Sequence, residues 1–217
     1  AKERQIMKRN PFVLRFKDGK KEEGLAVIGG FWNECKGALK RAGIENFSIW
    51  SIEDFLFCYG EFPDEVKLSP ADQAGFEAWR AALAPVCDVF AAQGTLPLMY
   101  HDIGIVRADK SLIRHRVFAT KLKEGCAAEY KRRHDEIWPE MKALLKEAGI
   151  CNYTIWSDGE ELFGYYECEK GIAFAERTQA GSPIVDRWNA YMEDVLELEM
   201  DPETGAQPKL RQMFLLE

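Results

Sequence analysis

A chain of 217 residues, 47% hydrophobic and 30% charged, has room for one large domain or two small ones of about 100 residues each. Its formal net charge of −7 excludes nucleic acid as a default partner, because phosphate binding calls for clustered Lys and Arg. No apolar run approaches the roughly 20 residues of a membrane span, and six single cysteines without a CxxC pair indicate neither a zinc set nor a disulfide framework, so the cytoplasm is the expected home.

In chain order, the first informative stretch is Phe12 to Glu61. It returns without a gap as Phe118 to Glu167, at an offset of 106 residues with 20 identities in 50 positions. Ala42-Gly-Ile-Glu-Asn-Phe-Ser-Ile-Trp-Ser51 becomes Ala148-Gly-Ile-Cys-Asn-Tyr-Thr-Ile-Trp-Ser157, and Trp32 and Trp50 match Trp138 and Trp156. Further on, Trp79 pairs with Trp188, and Met99-Tyr-His-Asp-Ile103 with Leu210-Arg-Gln-Met-Phe214. The chain therefore reads as a tandem duplication, residues 1–108 and 112–217, with a polar linker near Ala108-Asp-Lys-Ser111.

The second copy opens with a strand, Arg116 to Leu122, ending at a Lys-Glu-Gly turn. A helical stretch from Cys126 to Ala148 follows, capped by Gly149 and interrupted at Trp138-Pro139, since Pro139 has no N–H to donate. Within it Tyr130, His134, Trp138 (or Ile137), Met141, Leu144 or Leu145, and Ala148 recur at i, i+3 and i, i+4 and share the inward face. Lys131-Arg132-Arg133 falls outside that stripe and reads as a solvated face. Asn152–Ser157 and Glu161–Cys168 form a hairpin about Asp158-Gly159-Glu160. Ser182-Pro183 opens a helix to about Leu196, and Leu210–Leu216 is a last strand. The order β-α-β-β-α-β is the ferredoxin-like arrangement. The expected fold class is α+β, two tandem ferredoxin-like domains forming an internal dimeric α+β barrel pseudo-dimer.

Among the three histidines, His101 falls in the last strand of the first copy, His115 at the linker and His134 inward beside Tyr130. An inward His is either a hydrogen-bonded core residue or a general acid–base, since its unperturbed pKa of about 6.5 lets it exchange protons near neutrality. Glu129-Tyr-Lys-Arg-Arg-His-Asp-Glu-Ile-Trp-Pro-Glu140 resembles the helix signature of the L-rhamnose mutarotase family. The resemblance continues through Asn152-Tyr-Thr-Ile-Trp156, Leu162-Phe163, Arg187-Trp188-x-x-Tyr191-Met192 and the closing strand. It implies a cofactor-free enzyme that interconverts sugar anomers, with His134 as the catalytic proton donor. It also implies Tyr130, Tyr153, Trp188 and Asn189 as substrate contacts, no metal, and a monosaccharide as the partner. Asn189 stands where a second Trp is expected, and a further family Trp has only Phe174 and Glu176 nearby.

The first copy has Gly24, Ile28 and Phe47 in place of Tyr130, His134 and Tyr153, so it reads as a structural partner without chemistry of its own. Such a chain is expected to be a monomer or a weak homo-oligomer. A non-catalytic sugar-binding module and a small cofactor-free monooxygenase are the rival readings.

Overall fold

Phe12, Leu14 and Phe16 stand two residues apart on β1 (Lys8–Phe16), so they share one face of that strand and pack in one core with the helix residues Ile28 and Leu39. The computed structural model describes residues 7–89, 96–102, 114–197 and 211–216. After β1 come α1 (Lys21–Arg41), β2 (Glu45–Ile52), β3 (Phe55–Phe62), α2 (Pro70–Leu83) and a short β4 (Cys87–Val89). The same order then recurs, preceded by β5 (Leu98–Asp102). It runs through β6 (Arg114–Leu122), α3 (Ala127–Asp135), α4 (Pro139–Glu147), β7 (Ile150–Asp158), β8 (Glu161–Cys168), α5 (Ile172–Gln179), α6 (Pro183–Met192) and β9 (Leu196–Glu197), and β10 (Arg211–Leu216) closes the chain.

The protein is mixed α+β, and the described residues form two five-stranded sheets whose paired strands run antiparallel. One sheet has the order β10-β2-β3-β1-β4 and the other β5-β7-β8-β6-β9. Two compact units follow, Ala1–Thr95 with Arg211–Glu217, and Leu96–Leu210. Each has its own apolar core, around Leu14, Ile28, Leu56 and Leu83 in the first and Leu122, Met141, Leu162 and Met192 in the second.

The expected last strand of each copy does not join the sheet of that copy. β5 pairs with β7, and β10 pairs with β2, so each of these strands joins the sheet opposite to the one its sequence position suggested. The position beside the first strand is taken instead by β4 and β9, three and two residues long. Each is too short for an alternating pattern to register. The region after β8 also differs from expectation: α5 is an additional helix, and α6 ends at Met192 rather than near Leu196.

The anticipated break at Pro139 is complete. Trp138 is extended, as a residue before proline prefers, and Pro139 starts a new helix. Asn33 stands at the matching place in the first copy, and α1 there runs unbroken for 21 residues. Gly149, at φ 74°, adopts the left-handed conformation just past the end of α4 that its sequence position suggested.

Both β2 and β7 carry an irregularity at an asparagine with positive φ, Asn46 at 50° and Asn152 at 47°. In the second unit Asn152 Nδ2 donates to Glu167 at 2.8 Å and Tyr165 donates to the same oxygen at 3.1 Å. Asn46, Tyr59 and Glu61 repeat the arrangement at 3.1 and 3.0 Å. These donors satisfy two buried carboxylates that would otherwise be costly. All six cysteines are free, and no helix among the described residues is long and apolar enough to cross a membrane.

Candidate active site

His134 sits in the last turn of α3, one turn after Tyr130, and is only 6% exposed. Its Nδ1 lies 3.1 Å from the Tyr130 carbonyl oxygen. A carbonyl can only accept, so Nδ1 carries the proton. Burial is the main influence on the ring and lowers its pKa from 6.5 to about 4, with the Tyr130 carbonyl and Asp135 opposing. Near neutral pH the imidazole is therefore uncharged, and Nε2 holds a free lone pair.

Aromatic rings from four elements surround it. Tyr130 on α3 lies 4.2 Å from His134 between ring centroids, Tyr100 on β5 lies 5.2 Å away, and Trp188 on α6 approaches edge-on at 5.3 Å. Tyr153 on β7 joins through Tyr100, edge to face at 5.4 Å. Trp138, placed by the helix break, stands edge-on to Trp188 at 5.3 Å. Burial raises the phenols of Tyr130, Tyr100 and Tyr153, so all three stay protonated donors across the physiological range. The Tyr100 hydroxyl is buried and has no hydrogen-bond partner among the described residues. Such an orphan is uncommon in a folded protein and marks a group whose partner is a ligand or a water.

Four of the residues expected from the sequence, His134, Tyr130, Tyr153 and Trp188, thus gather in one unit. Asn189 does not join them: it is exposed, one residue and so about 100° around the helix from Trp188. Tyr100 was missed, because its place beside His134 depends on β5 pairing with β7. His101, its neighbour in the sequence, is exposed.

Arg133 also departs from the solvated face assigned to it. It is buried, donates to Asp194 Oδ1 at 2.5 Å and to the Tyr191 carbonyl, and takes Glu129 as a further acceptor at 2.7 Å. Arg132, followed by Arg133, holds the Glu129 carboxyl down to about 2. Arg133 therefore ties α3 to the end of α6 and fixes the distance between His134 and Trp188. A hollow of about 430 Å³ has Tyr153 in its wall together with Asp102, Lys142, Lys146 and Glu169. Among the described residues no group of three His, Cys, Asp or Glu side chains is placed to hold a metal ion.

Residues 115–216 match the family model described as L-rhamnose mutarotase. An L-rhamnose mutarotase of Flavobacterium johnsoniae is 41% identical over 105 residues, which is 46% of this chain and 92% of that protein. One from Mesorhizobium japonicum is 44% identical over 99 residues, 45% of this chain and 91% of that protein. The crystal structure of L-rhamnose mutarotase from Formosa agariphila is 31% identical, covers 48% of this chain and 99% of its own, and superposes with a TM-score of 0.39.

Proposed function

The chain belongs to the L-rhamnose mutarotase family, and from that premise we propose how its own residues interconvert the α and β anomers of L-rhamnose or a related deoxy sugar. It is an isomerase of the racemase and epimerase class. The observation that carries the mechanism is the tautomer of His134, whose Nδ1–H is committed to the Tyr130 carbonyl. Nε2 is then the acceptor that takes the proton from the anomeric hydroxyl. A protonated phenol, from Tyr100 or Tyr130, donates to the ring oxygen as the C1–O bond opens. Rotation about C1–C2 and reclosure give the other anomer: the phenolate takes back the proton of the ring hydroxyl as it attacks C1, and the imidazolium returns its proton to the carbonyl oxygen. This order makes His134 first an acceptor and then the donor that the family resemblance implies.

Each positioned proton transfer contributes about 10²–10⁴-fold, enough for a reaction that already proceeds slowly in water. The faces of Trp188 and Tyr153 offer stacking surface for the apolar C–H face of a deoxy sugar. Asn189, exposed on the next helix face, has no part in this reading.

The chain is further read as a tandem duplication whose first copy, residues 1–108, is degenerate, and whose second, residues 112–217, carries the site. The exchanged closing strands support an internal pseudo-dimer, with one polypeptide supplying what two identical subunits would otherwise provide. The test is anomer exchange of L-rhamnose, fucose, lyxose and mannose followed by saturation-transfer NMR on wild type and His134→Ala. Acceleration by wild type and none by the variant is expected. Sugar binding without acceleration would leave a binding module instead.

A further inference from the structure

The first unit has a hollow with apolar walls that include the counterparts of proposed site residues of the second. A cavity of about 230 Å³ lies between α1, α2 and the sheet, bounded by Ile28, Trp32, Cys35, Phe47 and Trp79. At the offset of 106, Ile28 is the counterpart of His134, Trp32 of Trp138 and Phe47 of Tyr153; beyond the gapless stretch the offset drifts, and Trp79 can be paired with Trp188. The chemistry of the position has been exchanged while its space has stayed open. Well-packed cores do not retain voids of this size without strain or a guest, and a 150 Å³ apolar cavity already admits benzene.

Two further features describe the guest. The indole Nε1 of Trp79 is buried and has no acceptor among the described residues, although the residue borders the cavity. Val66 and Leu68, also part of the wall, are 42% and 38% exposed, so apolar surface continues to the mouth. Burial holds the Cys35 thiol up at about 11, so this wall residue adds no charge near neutral pH.

We propose that the first unit is a binding site for a small apolar, ring-containing molecule carrying one hydrogen-bond acceptor, which the Trp79 indole N–H recognises. A sugar is excluded by the lining, since its hydroxyls would lose water and find no partners there. The site is separate from the His134 chemistry and stands whether or not the anomerase reading does.

The experiment titrates the full chain with naphthalene and with 2-acetylnaphthalene, by calorimetry and by ¹H–¹⁵N NMR of the indole N–H groups. Both probes are expected to bind one per chain, with dissociation constants of about tens of micromolar. The ketone should shift the indole resonance that disappears in Trp79→Phe, and that variant should bind the ketone about tenfold more weakly while holding naphthalene unchanged. Cys35→Phe, which fills the hollow, should lose both probes while anomer exchange at His134 persists. No binding by wild type, displacement of the probes by L-rhamnose, or an unmoved Trp79 resonance would overturn the proposal. The resonance decides the matter even if the filled variant does not fold.

Discussion

His134 owes its chemical state to where it sits rather than to what surrounds it in sequence. Depression of its pKa to about 4 means that the free enzyme holds the basic form until protons reach that level. The expected kcat/KM for L-rhamnose is flat from pH 8 to about 5 and then falls tenfold per pH unit below about 4. An acidic limb near 6.5 would show that the ring is solvated and its lone pair poorly shielded. The linkage to stability has a definite sign. Unfolding releases the ring to a pKa of 6.5, so stability is fully present above that value and is lost as pH falls toward 4. Tyr100 offers a second test at this scale. Its hydroxyl is buried without a partner, so Tyr100→Phe should leave the urea midpoint unchanged or raised, yet lower kcat/KM about 10–100-fold. A variant that loses stability and keeps activity would place the hydroxyl in the core rather than in the site.

The irregularity in β7 connects an ordinary asparagine to the direction of Tyr153, a proposed substrate contact. Asn152 adopts a positive φ and donates to buried Glu167, and the register shift between Cys151 and Thr154 turns Tyr153 toward Tyr100. Asn152→Ala strains the backbone and removes a donor from a buried carboxylate. The expected loss is about 2–4 kcal/mol in urea unfolding, with a several-fold rise in KM as Tyr153 swings. Stability lost without a change in KM would separate the bulge from the site. Elements of this kind were partly legible in the sequence. Pro139 announced the helix break and Gly149 the cap, because each acts through its own backbone chemistry. The exchange of β5 and β10 was not, since the apolar pattern of a strand is the same whichever sheet accepts it. Tyr100 was hidden for that reason, whereas the spacing of Tyr130 and His134, one turn apart on a single helix, put them on one inward face and the family resemblance alone implied their roles.

Across the whole molecule, the proposed duplication has the two units divide their duties, and the packing of the first stands against the chemistry proposed for the second. Gly24, the counterpart of Tyr130, lies against the Phe16 ring, which occupies the place a Cβ at that position would need. Position 122, the counterpart of Phe16, holds the smaller Leu, and Tyr130 fits beside it in the second core. Restoring the other two polar groups therefore cannot rebuild the site. The triple variant Ile28→His, Phe47→Tyr, His134→Ala is expected to show no anomer exchange above the uncatalysed rate in NMR. It should also unfold at lower urea than His134→Ala alone, because an imidazole and a phenol would face an apolar cavity without partners. Recovery of even a few per cent of wild-type exchange would mean that the two hollows are chemically interchangeable. The first unit would then be a dormant site a few substitutions from activity, rather than one committed to a different guest by the packing of Phe16.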